Sequence, residues 1–211
     1  MRIIAGTWRG QRLEEPRGGE VTRPTADRVR EACASMVDSA LAGGIEGCRV
    51  LDAFAGSGAM GIELLSRGAA HASFFDRDRT AAALVQRNLD HLRCPATRCR
   101  VTTGDVVAAA ARGRVAGGPF DVVVLDPPYA LGTAPAEQLM AELVGHGALS
   151  PGCVVLFERS AAKTPPLSLD GFDRLREKRY GGTAVDLLVL SGLDSQGRAA
   201  PDPSPTGMED S

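Results

Sequence analysis

Residues 120–132, FDVVVLDPPYALG, combine groups that can act on a substrate with groups that can only stiffen a chain. Val122, Val123, Val124 and Leu125 read as a buried strand. The strand ends on Asp126, Pro127, Pro128 and Tyr129, because proline cannot continue a hydrogen-bonded ladder. A residue before proline is pushed towards extended geometry. Asp126 precedes Pro127 and Pro127 precedes Pro128, so the Asp126 carboxylate and the Pro127 carbonyl have few directions in which to point. Two fixed acceptors suit a substrate with two donors on one atom, an exocyclic NH2. Such a nitrogen is a poor nucleophile, since its lone pair is delocalised into the ring. Hydrogen bonds from both N–H groups to Asp126 and the Pro127 carbonyl draw it towards tetrahedral geometry and stabilise the positive charge that develops on it. Tyr129 offers a face on which an extruded base can stack, worth roughly 1–3 kcal/mol. A strand that merely had to stop would need neither the acid nor the ring.

A second cluster lies in LDAFAGSGAMG, residues 51–61. Gly56-x-Gly58-x-x-Gly61 follows a strand and opens a helix, and Asp76 ends the next strand twenty positions after Gly56. The pattern matches the dinucleotide fingerprint and implies a ligand that contains a nucleoside, with Asp76 on its ribose. Asp52 narrows the choice. A carboxylate at the end of the first strand would repel a diphosphate but could pair with a cation. S-adenosylmethionine (SAM) has an α-ammonium, a sulfonium and ribose hydroxyls, and no phosphate. The lone pair of an amino group held at Asp126 could then aim at the sulfonium methyl, and in-line geometry of that kind contributes on the order of 7 kcal/mol or more in the best cases. Asp52 reads alternatively as a cap for the following helix. Asp105 likewise reads as a contact to an adenine amino group or as the N-cap of a helix that begins at Val106.

The elements needed to position these groups are legible from about residue 48 onwards. Strands are expected at 49–54, 71–76, 98–105, 120–126 and 153–160. Helices are expected from the glycine turn to about Ser66, at 79–92 and at 136–149. Residues 172–192 read as two strands joined at Gly181 and Gly182. The alternation implies an α/β fold, a mainly parallel seven-stranded sheet with an antiparallel edge. Ligands bind such sheets outside the carboxyl ends of the strands, where strand order reverses, so Asp126 should face the glycine turn. Ahead of this unit, RIIAGTWRGQRLEEP suggests a hairpin. PTADRVREACASMVDSAL suggests a helix with Val29, Cys33, Met36, Val37 and Leu41 on one stripe and Thr25 as N-cap. The expected organisation is a hairpin and helix over 1–44, a catalytic domain over 45–193 and a disordered tail over 194–211.

Composition excludes several classes. The chain has 211 residues and a net charge of −2, which argues against a generic nucleic-acid binder. Charge is uneven, however. Residues 1–30 carry seven arginines against four acids, and the tail from Asp194 carries four acids against Arg198. The five cysteines are scattered without CxxC spacing, so a reduced cytoplasmic protein without a metal is expected. No run resembles a signal peptide or a membrane helix.

The segments MRIIAGTWRGQRL, RPTADRVREA, LDAFAGSGAMGIELLSRGA, FFDRD and DPPY together resemble the bacterial 16S rRNA guanine-N2 methyltransferases that act on guanine 966, over residues 1 to about 192. The resemblance implies a Rossmann-like Class I methyltransferase fold, with Asp126, Pro127, Pro128 and Tyr129 as the methyl-transfer loop. It places Asp52, Phe54, Gly56, Ser57, Gly58, Asp76, Arg77, Asp105 and Val106 around SAM, with S-adenosylhomocysteine as product. It gives the basic N-terminus a purpose: Arg9, Arg12, Arg23, Thr25 and Arg28 would hold 16S rRNA, within an assembling 30S subunit, for a monomeric enzyme. Asp76 departs from the glutamate frequent in that family, and its shorter chain should still reach the ribose. A DNA amino-methyltransferase would share DPPY but ordinarily adds a recognition domain. An NAD-binding oxidoreductase would explain the glycines and Asp76 but leave DPPY idle. A non-catalytic RNA-binding module would need no Asp126 at all.

Overall fold

In the computed structural model, which describes residues 1–16, 24–128 and 132–192, the strand at the centre of the sequence divides two hydrophobic cores. Val122 and Val124 point into one, Val123 and Leu125 into the other. This alternation is the period-2 geometry of an extended chain buried on both faces. Chain order is α1 (Pro24–Ala40), β1 (Arg49–Asp52), α2 (Ala59–Ser66), β2 (His71–Asp76), α3 (Arg79–His91), β3 (Cys99–Thr103), α4 (Val106–Ala110), β4 (Phe120–Leu125), α5 (Ala134–Gly145), β5 (Leu149–Ser160), β6 (Phe172–Tyr180) and β7 (Thr183–Leu190). The seven strands form one sheet in the order β3-β2-β1-β4-β5-β7-β6. β3, β2, β1, β4 and β5 pair in parallel. The closing hairpin inserts β7 antiparallel between β5 and β6. Strand order reverses between β1 and β4, which puts the crevice where the sequence places it.

The first core joins the sheet to α1, α2, α3 and the N-terminal segment, through residues such as Val37, Ile62, Val85 and Leu89. The second joins it to α4 and α5 through Val106, Leu139 and Leu143. α3 starts where Asp78 accepts a hydrogen bond from Thr80 N, the expected remedy for an orphan N–H of the first turn. Among the described residues no helix is long and apolar enough to cross a membrane.

The N-terminal segment is a short hairpin, with Arg2 bridged to Arg12 and Ile3 N bonded to Gln11 O. Ile3, Trp8 and Leu13 enter the first core. Polar groups fix the hairpin's position. Glu63 accepts from Ile4 N (2.8 Å) and Ala5 N (3.1 Å). Ser66 Oγ donates to Ala5 O and accepts from Trp8 N. Gly6, at φ +81°, lies so close to α2 that a Cβ would stand 1.8 Å from Ser66 O.

Several boundaries differ from expectation, among them β1, which ends at Asp52 rather than 54, and β3, which spans Cys99–Thr103 rather than 98–105. α1 begins at Pro24, whose fixed φ suits the first helical position, so Thr25 lies inside the helix and is not its N-cap. β5 begins at Leu149 rather than 153, because Leu149 pairs with Phe120 before a register shift. α5 runs from Ala134 to Gly145 instead of 136–149, because the residues after Gly145 lead into that strand. The tail from 194 lies outside the described residues.

Candidate active site

The parallel strands end together, and the loops beyond them enclose a cavity of about 1010 Å³. Its wall contains Phe54 and Gly56 from the β1–α2 turn, Asp76, Arg77 and Asp78 after β2, Gly104, Asp105 and Val106 after β3, and Asp126, Pro127 and Pro128 after β4. Ala134, Pro135 and Gln138 of α5 close the far side. The loop that stops β4 therefore faces the glycine turn across one space.

Each carboxylate has a local reason for its position. Asp76 accepts from Gly56 N at 2.8 Å and from Asp78 N at 2.9 Å, so it holds the turn open as well as facing the cavity. Gly56 has φ +54° and nothing within 4 Å of where its Cβ would be. Asp105 accepts from Ala108 N at 3.1 Å as the N-cap of α4, and its other oxygen lies 3.9 Å from Arg77 Nε. Both of its sequence readings thus remain compatible, since a cap can also line a wall.

Asp52 is placed differently. It is buried, stands behind the cavity wall, and accepts from Gly61 N in the first turn of α2 at 3.0 Å. The capping reading describes its contact. Ser57 and Gly58 are not among the residues that line the cavity either. Gly58 packs on Val85, and a Cβ on Gly61 would meet Phe74 at 2.4 Å. One glycine of the three therefore faces the ligand space, while the other two allow α2 to approach its neighbours.

The electrostatics of the cavity are acidic. Asp76, Asp78, Asp105 and Asp126 face it against the single guanidinium of Arg77. Burial pushes the Asp52 carboxyl up to about 7, opposed by the Gly61 hydrogen bond and reinforced by Asp76. The Asp126 side chain is open to the cavity, yet its ionised form is disfavoured. Crowding by surrounding protein raises its pKa, and the charges of Glu158 and Asp52 raise it further. Low-dielectric, like-charged surroundings favour the neutral acid in this way. The pattern repels a diphosphate and attracts a cation.

A second, smaller groove of about 450 Å³ lies between the hairpin and α1. Arg9 and Arg28 line it together with Arg2, Asp27 and Glu31. Arg12 is exposed on the hairpin outside the groove. Arg30 is committed to structure, donating to Asp27 at 2.8 Å and to Arg2 O at 2.6 Å. Tyr129 and Arg23 lie outside the described residues, as does the side chain of Thr25. Among the described residues no group of histidine, cysteine or acidic side chains is arranged to hold a metal ion.

Two residues of the site escaped the sequence reading. Asn88 is buried on the apolar face of α3, accepts from Glu14 N at 2.7 Å, and donates to Glu14 O and to Ser57 O. It ties the hairpin to the glycine turn, and its signal was an amide set within the stripe of Ala82, Val85 and Leu89. Glu158 is the other, an acid that interrupts the apolar run of β5 beside Asp126.

Comparison with known proteins follows the same lines. The family model for conserved hypothetical protein 95 matches residues 1–189. Ribosomal RNA small subunit methyltransferase D of Haemophilus influenzae is 34% identical over 181 residues, 86% of this chain and 89% of that protein. The protein of the same name from Escherichia coli K12 is 34% identical over 187 residues, 89% of this chain and 88% of that one. The solved structure of Escherichia coli yhhF superposes with a TM-score of 0.76 at 30% identity, covering 90% of this chain and 98% of that chain.

Proposed function

The chain belongs to the family of conserved hypothetical protein 95, and on that premise we propose that it is a SAM-dependent rRNA methyltransferase acting on the exocyclic N2 of a guanine in 16S rRNA. The observation that carries the reading is the rigid Asp126-Pro127-Pro128 segment in the wall of an acidic cavity, opposite Gly56 and Asp76. The relatives named for ribosomal RNA support the substrate class, and this chain's own DPPY and RPTADRVRE segments support the guanine-966 type of site.

The residues present fit SAM. Gly56 leaves open space at its Cα, Asp76 offers a carboxylate for the ribose, and Phe54, Asp105 and Val106 of the same wall would hold the base and its amino group. Asp52 acts from beneath, accepting from Gly61 N to hold the glycine turn, and a cationic ligand nearby would favour its ionised form. SAM, when bound, supplies the methyl group from its sulfonium.

The chain's own residues handle the acceptor. Asp126 and the Pro127 carbonyl accept hydrogen bonds from the two N–H groups of the guanine amino group and fix its lone pair. Once nitrogen has gained carbon it must lose one hydrogen as a proton. A carboxylate whose proton affinity is raised, as at Asp126, is suited to receive it. Tyr129 stacks the extruded base. Arg9, Arg12, Arg23, Thr25 and Arg28 hold RNA at the hairpin–α1 side. The low net charge favours a partly assembled 30S particle in the cytoplasm over naked RNA. An acidic cavity gives no support to an NAD-binding oxidoreductase, whose diphosphate it would repel.

The test is incubation of the protein with methyl-labelled SAM and, separately, undermethylated 30S subunits, protein-free 16S rRNA or duplex DNA. Label in 30S subunits above free rRNA is the expected result. Label confined to DNA would replace the reading with a DNA amino-methyltransferase. No label anywhere would leave a binding module.

A further inference from the structure

β6 is the last strand of the sheet, and all residues between its two ends are exposed. Its sequence, FDRLREKRY, holds four cations and two acids. Basic residues on an edge strand ordinarily prevent edge-to-edge pairing. That role does not depend on which face of the strand they occupy, yet here the two faces differ.

Glu177 is opposite Asp186 and takes hydrogen bonds from Arg159 and Arg179 at 3.1 and 3.2 Å. Arg174, brought to the same face by the register shift before Arg176, donates to Leu167 O at 2.7 Å. The cations of this face are engaged within the protein.

The other face looks towards the first core. Arg176 is opposite Leu187 and Lys178 is opposite Val185, and Leu187, Val185 and Tyr180 all belong to that core. Arg176 and Lys178 form no ion pair with another described residue. This is also the face of Asp126. Leu125 is opposite Phe157, so Asp126 continues the row beside Glu158. Glu158 is opposite Val185, which is opposite Lys178. Asp126 and Lys178 therefore occupy one row, three strand spacings or about 14 Å apart. The antiparallel hairpin brings the carboxyl end of β6 to the catalytic end of the sheet. α1 packs across β5, β7 and β6 on this side, so the same helix carries Arg28 of the hairpin groove and borders the β6 cations.

We propose that Arg176 and Lys178, with Tyr180 beside them, form a second RNA contact surface that holds phosphates on the β6 side of the target nucleotide. The surface rests on the rRNA reading above. RNA enters between two basic borders, the hairpin groove with Arg9 and Arg28 on one side and the β6 edge on the other. The acidic cavity opens at Asp126, in the same row as Lys178, and only the base to be modified reaches it.

The test measures binding of protein-free 16S rRNA by the full chain, with S-adenosylhomocysteine present, from about 50 to 200 mM salt. Each lost phosphate contact lowers the slope of log affinity against log salt by about 0.7 on single strands. R176A/K178A should lower the slope by about 1.4 and weaken binding roughly tenfold at the low-salt end. R179A, on the opposite face, should leave the slope unchanged. Melting temperature and S-adenosylhomocysteine affinity should hold in both variants, and R176K/K178R should restore the slope. An unchanged slope in R176A/K178A, or an equal fall in R179A, overturns the proposal. Normal rRNA binding with loss confined to intact 30S particles also overturns it, by making the edge a protein contact. If the unaltered protein binds neither free 16S rRNA nor undermethylated 30S subunits, the functional reading itself fails, a result distinct from the others.

Discussion

Glu63 and Asp126 are two carboxylates on opposite sides of the glycine turn, and they are used in opposite ways. Glu63 is fully buried, with its oxygens occupied by two backbone N–H groups of the hairpin and by Arg67 at 2.9 Å. Asp126 opens on a cavity, and the charges that raise its pKa are those of two acids, Glu158 and Asp52. A satisfied carboxylate fixes one element against another and has nothing left for a ligand. A carboxylate among like charges is a cost to the fold and a resource for chemistry. The hairpin region follows the first pattern throughout, with Glu63, Ser66 and Asn88. The cavity follows the second, with stiffness supplied by prolines.

If that contrast is right, removing each acid should damage a different property. E63A strips acceptors from two buried amides and a guanidinium, and should cost about 3–5 kcal/mol, as removal of one partner from a buried pair does. Thermal unfolding of E63A against the parent chain would show a fall of roughly 10 °C or more. D126A should behave inversely. Its methyl-transfer rate should drop by about 10²–10³-fold, the cost of deleting one preorganised electrostatic partner, while its melting temperature at pH 8 is unchanged or higher. Steady-state kinetics beside calorimetry distinguishes the two outcomes.

Asp52 sharpens the comparison through pH. Its folded pKa, about 7, is above the unfolded value of about 3.9, so the folded state favours the neutral acid. The stability it allows is complete below about pH 4 and is lost as pH rises through 7. D52N keeps an acceptor for Gly61 N and should flatten that decline in a series of unfolding curves. An identical decline in D52N would remove Asp52 as the source. The smallest effect is expected at Asn88. N88A leaves Glu14 N and Ser57 O without their partner, costs about 1–3 kcal/mol, and should raise the KM for SAM more than it lowers kcat, since it loosens the turn and leaves Asp126 in place.

Much of this was readable from local pattern. β4 and its proline stop needed only a β-branched run and two residues that cannot extend a ladder, and the glycine turn needed only its spacing. Asp105 was legible as a cap because the helix it caps follows directly. Asp52 was ambiguous because its partner, Gly61, lies across a turn whose path the sequence does not give. Glu63 and Asn88 were invisible for a stronger reason. Their partners are 59 and 74 residues away, and nothing local separates a spent carboxylate from an available one. The start of β5 was hidden by Pro151 and Gly152, residues that ordinarily weaken a strand but here lie between the Leu149 pair with Phe120 and the resumed ladder at Val154. Arg30 shows the same limit for cations: composition counts it with the basic N-terminus, while Asp27 holds it in the fold.

The central claim concerns what the Asp126 cavity does to an amino group in ribosomal RNA. Nucleoside mass spectrometry of 16S rRNA, recovered from undermethylated 30S subunits after incubation with SAM and either the parent chain or D126A, tests this directly. The expected result is N2-methylguanine at one guanine with the parent chain and its near absence with D126A. Methylation at a ring carbon or a ribose oxygen, or equal N2-methylation by D126A, would contradict it.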